Sequence, residues 1–244
     1  MHVLTVVLAL ATLASAAWAE SPLVNELLVT AVSYHQNPGR IDTLRANLTD
    51  AAKTDPDVDT LLALAHICFI WGDVRARTPD QKLDAYEQGR QAARRAVELA
   101  PKSALAHFWY GTNTGRWGQT KGVVRSLFLL PTVKQEFEAV LAIDPNFAPG
   151  YALAGNVYIE VPVLFGGDLD RGEQMFRKGL ALAPRFTAMR LGLARTLIKK
   201  GRFAEARAEL QAVLDEKAPD NIADWTVKDS RRARELLESI RGKS

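Results

Sequence analysis

The sequence predicts an all-α protein, a right-handed α-solenoid of about four to five helix-turn-helix units with inserted segments. Two observations carry this. Ala93, Ala96 and Pro101 recur at the same spacing as Phe137, Val140 and Pro145, and again as Phe176, Gly179 and Pro184. After each proline an aromatic or basic residue follows six places on (His107, Tyr151, Arg190) and a small residue ten places on (Gly111, Gly155, Ala194). Fixed offsets of this kind mark stacked helical hairpins, each burying its apolar face only against its neighbours.

The offsets are similar to those of tetratricopeptide (TPR) repeats, units of about 34 residues. Ser21-Pro22 opens the first helix as cap and first helical residue, and Asn37-Pro38-Gly39 ends it near Gln36. A second helix runs from about Ile41 to Thr54, with Ile41, Leu44 and Leu48 on one face. The third covers Leu61 to Trp71. Its partner starts at Thr78-Pro79-Asp80-Gln81, a capping box, and continues to about Ala100, leaving about eleven residues more than a plain repeat.

The next unit begins at Ala104 and is expected to break at Gly118 to Gly122, with Pro131 opening its second helix after the apolar segment Val123 to Leu130. The unit from Ala148 to Pro184 carries a shorter insertion, Val161 to Asp168, followed by Asp170 and Glu173 as a capping box. Thr187 to Leu214 forms the most regular unit. A loop from Pro219 to Trp225 and an amphipathic helix of about 226–241 close the chain and cover the open end of the stack.

The N-terminus reads as a signal for export. Val3 to Ala14 is almost wholly apolar, and Ala17-Trp18-Ala19 fits a small-x-small cleavage site with Glu20 opening the mature chain. A retained membrane anchor is the alternative, although the run is shorter than the roughly 20 residues of a spanning helix. Residues 1–19 are thus a cleaved signal, 20–244 a single helical domain, and the expected location is the periplasm without a lipid anchor. One cysteine, Cys68, cannot form an internal disulfide and sits in an apolar run, so it reads as a buried, inert thiol.

The charge balance is mild: 31 basic against 28 acidic residues, net +3. Its basic runs alternate with glutamates and alanines at helical spacing, so no nucleic-acid partner is expected. His35, His66 and His107 lie on three different helices, and the sequence has no His-Glu-x-x-His pair, phosphate loop or nucleophile elbow. No catalytic residue, metal or cofactor is therefore assigned, and the chain is not expected to be an enzyme.

The inner face of the stack is the expected binding surface. Its lining would come from Leu105, Phe108, Thr112 and Gly115, then Pro149, Ala152, Asn156 and Ile159, then Ala188, Leu191, Arg195 and Ile198. Apolar walls with a few polar points suit a ligand or partner site. Pro149, Ala152 and Leu153 stand where a clamp for C-terminal carboxylates would need basic side chains. Aromatic residues in and beside the insertions, Trp117 and Phe165 above all, add a second set of candidates. The candidate ligand- or partner-binding residues are Phe108, Thr112, Arg116, Trp117, Lys121, Asn156, Phe165 and Arg195.

The apolar export segment is joined by Gly115-Arg116-Trp117-Gly118 with Lys121-Gly122, by Phe137 to Phe147 running into Gly150-Tyr151, and by Pro162-x-x-x-Gly166-Gly167-Asp168. Together these resemble the T-component of tripartite ATP-independent periplasmic (TRAP) transporters, a TPR-type family, over about Leu61 to Leu214. The resemblance implies a helical protein that can oligomerise, with a pore or hydrophobic cavity. It also implies a periplasmic substrate-binding protein as partner and an apolar or carboxylate ligand. Members are often lipid-anchored, and this chain lacks the attachment cysteine. The expected function is a non-catalytic accessory of such a transport system. The alternative is a generic TPR scaffold that assembles envelope or secretion proteins through its groove.

Overall fold

The computed structural model describes residues 21–243 apart from position 55. Five helical hairpins follow one another: α1 (Pro22–Ser33) with α2 (Gly39–Ala51), α3 (Val58–Val74) with α4 (Pro79–Leu99), α5 (Ala104–Lys121) with α6 (Val123–Ile143), α7 (Ala148–Glu160) with α8 (Leu169–Leu182), and α9 (Thr187–Lys199) with α10 (Phe203–Asp215). A closing segment comprises α11 (Ile222–Asp224), a π-helical turn (Trp225–Asp229) and α12 (Ser230–Ser239). The described residues contain no strand. The predicted export segment, with cleavage after Ala19, lies outside the described residues.

The first helices of the hairpins, α1, α3, α5, α7 and α9, stand side by side as one layer. The repeat offsets have two physical causes. Small residues make room for rings: a Cβ at Gly155 or Gly192 would stand 2.8 or 2.4 Å from the fully buried ring of Phe176, and one at Gly72 would meet Tyr86 at 2.5 Å. The residue six places after each proline ties the turn. His107 Nε2 lies 3.0 Å from the Pro101 carbonyl, Tyr151 Oη donates to the Pro145 carbonyl at 2.9 Å, and Arg190 Nη2 donates to that of Pro184 at 3.0 Å. Three different side chains share one job: each brings an N–H or O–H to an orphan carbonyl.

Several local expectations are corrected. Ser21 opens α1 without a side-chain cap; its backbone carbonyl accepts from Val24 and Asn25 instead. No break occurs at Gly118, because α5 runs through it to Lys121 and turns only at Gly122, whose φ of 107° suits glycine alone. Gly118 is instead a packing position, with Leu129 and Ser126 of α6 about where a Cβ would touch, 3.3 Å away. Pro131 does not open α6 but lies inside it. The supposed insertion is therefore a longer hairpin.

Asp170 and Glu173 form no capping box. Asp168 caps α8 by accepting from Asp170 N and Arg171 N, and Glu173 turns inward to Lys200, Arg202 and Arg177. The Thr78–Gln81 capping box is present as expected.

Candidate functional site: the inner face and its closing segment

The closing segment is more than an end cap. Its α12 packs on α10 and α9 and buries Ala233 and Ile240 with Leu210 and Val213, as an amphipathic cap should. The residues before α12, however, cross back to the start of the chain. Ala223 is fully buried in the core shared by α1, α3 and α4. Asn221 Nδ2 donates to the Ala31 carbonyl at 3.1 Å, and Tyr34 Oη donates to Asp224 at 2.5 Å. On the other side Thr187 Oγ1 donates to Asp229 at 2.6 Å, and Trp225 Nε1 to the Val213 carbonyl at 2.7 Å. A single stretch of about ten residues thus links α1 to α9. The π turn is closed at its end by Ser230 Oγ, which donates to the Trp225 carbonyl at 2.8 Å.

A polar cluster forms where this stretch meets α3 and α5. Asp73, near the end of α3, accepts from Tyr86 Oη at 2.6 Å and pairs with Arg116 of α5; Lys228 Nζ stands 3.7 Å away and 2.8 Å from Asp224. Burial alone would raise the Asp73 carboxyl, but the two cations and the Tyr86 hydroxyl hold it below the usual range. Burial alone would lower Lys228, yet Asp224 and Asp73 keep it above its ordinary value. The phenol rings of Tyr34 and Tyr86 are both pushed up, first by burial and then by adjacent carboxylates. Asp229 is raised to about 6 by burial and by Asp224, against the Thr187 hydrogen bond. Arg116 and Lys228 also lie over the Phe69 ring, at 6.0 and 5.8 Å.

The predicted residues fall into three places rather than one. Thr112, Arg116, Asn156 and Arg195 occupy the first-helix layer. Asn156 donates to the Ala152 carbonyl at 2.8 Å and accepts from Arg195 at 3.4 Å, while Arg195 pairs with Glu160. Burial, with Arg232 and Arg116 nearby, lowers Arg195. Thr112 Oγ1 and Arg116 Nε are buried without a partner among the described residues. Phe108, also on α5, packs edge-on to Trp109 and Phe147, at 4.9 and 5.4 Å between centroids.

Trp117 and Lys121 lie at the α5–α6 turn, where the indole carries Arg90, Lys121 and Arg125 at 5.3, 5.7 and 5.9 Å. Phe165 sits half-exposed on a short 3-10 turn, Val163–Phe165, beside Lys134 of α6. Two open depressions, of about 600 and 490 Å³, lie against α12 and along α8.

The histidines are bound into packing. His66 stacks on Trp109 at 4.2 Å between centroids and is lowered to about 4 by burial, while His107 Nδ1 lies 2.6 Å from Glu136. The Cys68 thiol is fully buried and pushed up to about 12, as its apolar setting predicts. Sequence reasoning missed Tyr34, Asp73, Tyr86, Asp224 and Lys228. No local pattern marks a cluster in which Tyr34 and Asp224 touch across 190 positions.

With this geometry described, comparison with known proteins places the chain. The family described as regulator of microtubule dynamics protein 1-3 matches residues 30–163, more than half of the sequence. The chain belongs to that family. A tetratricopeptide repeat family matches residues 166–225. Two solved structures share the fold of this family member. The thermophilic TPR protein TTC0263 of Thermus thermophilus is 21% identical, with 86% of this chain and 98% of that one covered and a TM-score of 0.63. A MamA fragment (41-end) from Desulfovibrio magneticus is 16% identical, covering 82% and 97%, with a TM-score of 0.50. No curated protein matches. Two of the three stretches that carry the TRAP resemblance, Gly111–Gly122 and Phe137–Tyr151, lie within the range matched by the regulator family, and the third, Pro162–Asp168, extends beyond it.

Proposed function

We propose that this TPR protein is a non-catalytic binding component that holds a protein partner on its first-helix layer. The observation that carries this is that the layer already grips a polypeptide. Residues from Asn221 to Asp229 are held there by side-chain hydrogen bonds from Asn221 and Tyr34 on one side and Thr187 on the other. A surface with fixed donors and a partly buried Arg195–Asn156–Glu160 set suits extended or turn-rich protein segments. The family's description, a regulator, fits a role exercised through binding rather than turnover.

The finer reading is export to the periplasm and service as an accessory of a TRAP-type transport system; its support is the apolar N-terminal segment and the Gly115–Gly118 and Pro162–Asp168 stretches. Photo-crosslinking in the native cell tests both levels. A cross-linker at Asn156 should give a discrete protein adduct that a cross-linker at the exposed Glu138 does not give, and Arg195→Glu should abolish it. A periplasmic substrate-binding protein in the adduct supports the transport role; another envelope protein supports a scaffold. The same adducts from both positions would overturn the binding surface.

A further inference from the structure

The α5–α6 hairpin tip has features that protein packing does not use. Val123, Val124 and Phe128 are 72, 70 and 75% exposed, and Val163 and Leu164 on the neighbouring 3-10 turn are 81 and 88% exposed. The 3-10 turn approaches α6 at Lys134. Val123, Leu127, Leu130 and Lys134 recur at the i, i+4, i+7, i+11 spacing of a single helix face, and Lys134 Nζ donates to the Phe165 carbonyl at 3.4 Å. Exposed apolar residues are normally scattered singly over a domain surface, and here they are gathered.

Its unpaired charges are basic. Between Glu98 and Glu136 the sequence contains no acidic residue, whereas Lys121, Arg125 and Lys134 fall in that interval. The Trp117 indole holds Lys121 and Arg125 together at the tip, and neither has a carboxylate partner among the described residues. Arg90, the third cation on the ring, is paired with Glu87 at 2.8 Å.

We infer that this tip docks on an anionic phospholipid bilayer, with Val123, Val124, Phe128 and Leu164 entering the headgroup–acyl boundary and Lys121 and Arg125 meeting lipid phosphates. Exposed apolar side chains gathered on a hairpin tip and a short turn suit a fluid phase. The surrounding cations complement a negative surface.

The test is co-sedimentation of the intact chain with phosphatidylcholine vesicles, with or without phosphatidylglycerol. Binding should require the anionic lipid and weaken as salt screens the cations. The triple variant Val124→Ser, Phe128→Ser, Leu164→Ser should lower partition by about tenfold or more, and Lys121→Glu with Arg125→Glu should do the same. All five positions are exposed, so circular dichroism and melting should match wild type and separate lost binding from lost folding. Absence of sedimentation overturns the inference, as does binding unchanged in these variants. A patch that instead mediates self-association, with dimers lost in the triple variant and no vesicle binding, also overturns it.

Discussion

At the residue scale, the turn-tying side chains and the ring slots are where single atoms decide stability. Tyr151→Phe keeps the ring and removes only the hydroxyl that donates to Pro145, so a loss of about 1 kcal/mol is expected in a denaturant melt. Gly192→Val is far more severe, because the Phe176 ring occupies the space of its Cβ; a cost of about 2–4 kcal/mol is expected from the forced repacking. Glu173 gives a pH signature. Burial alone would raise its carboxyl, but hydrogen bonds from Lys200, Arg177 and Arg202 hold it at about 2, below its ordinary 4.5. A depressed acid stabilises the fold above the unfolded value and loses that contribution as pH falls from about 4.5 towards 2. Melting temperatures followed across that window should fall less steeply in Glu173→Gln than in wild type.

At the element scale, the hairpin turns set the length of each unit. Gly122 at φ 107° and ψ 172° joins α5 to α6 in a conformation that side chains with a Cβ avoid. Gly122→Ala should therefore destabilise by about 1–3 kcal/mol even though no atom lies within 4 Å of the new methyl, and calorimetry would detect it. Helix positions are legible in the sequence wherever a cap or breaker acts locally: Thr78 with Gln81, and the prolines after α4, α6 and α8. The α5–α6 boundary is not, because its glycine and proline carry the local signature of breakers while tertiary packing overrides it. Gly118 is kept helical by the close approach of α6, and Pro131 lies within a helix supported by packing against α5. Of the candidate residues, the spacing correctly sets Asn156 and Arg195 on neighbouring first helices, where they touch. Phe108 answers to local aromatic packing.

At the scale of the whole molecule, the closing segment couples the two ends. In an open array each repeat depends only on its neighbours; here α1 also depends on residues 221–228. Tyr34→Phe removes the hydrogen bond from α1 to Asp224 while leaving the Asn221 cap of α11 in place. Amide exchange should then quicken in α1 and in Ile222–Asp229 together, with α5–α8 unchanged. Exchange that quickens at one end alone would show that the ends are not coupled.

That linkage also has a consequence for how the chain is made. Leu27 and Ala31 of α1 share a core with Ala223. Since synthesis proceeds from the N-terminus, the first helix emerges long before the residue that covers it. Its packing on α2 and α3 can form early, but the part of its flank that meets Ala223 waits until nearly the whole of the chain is translated, and the Tyr34–Asp224 contact spans 190 positions. Such distant pairings form slowly compared with the local hairpins. The contact that joins the two ends is therefore the last the nascent chain can make, and until then that part of α1 stays open to a chaperone or a protease.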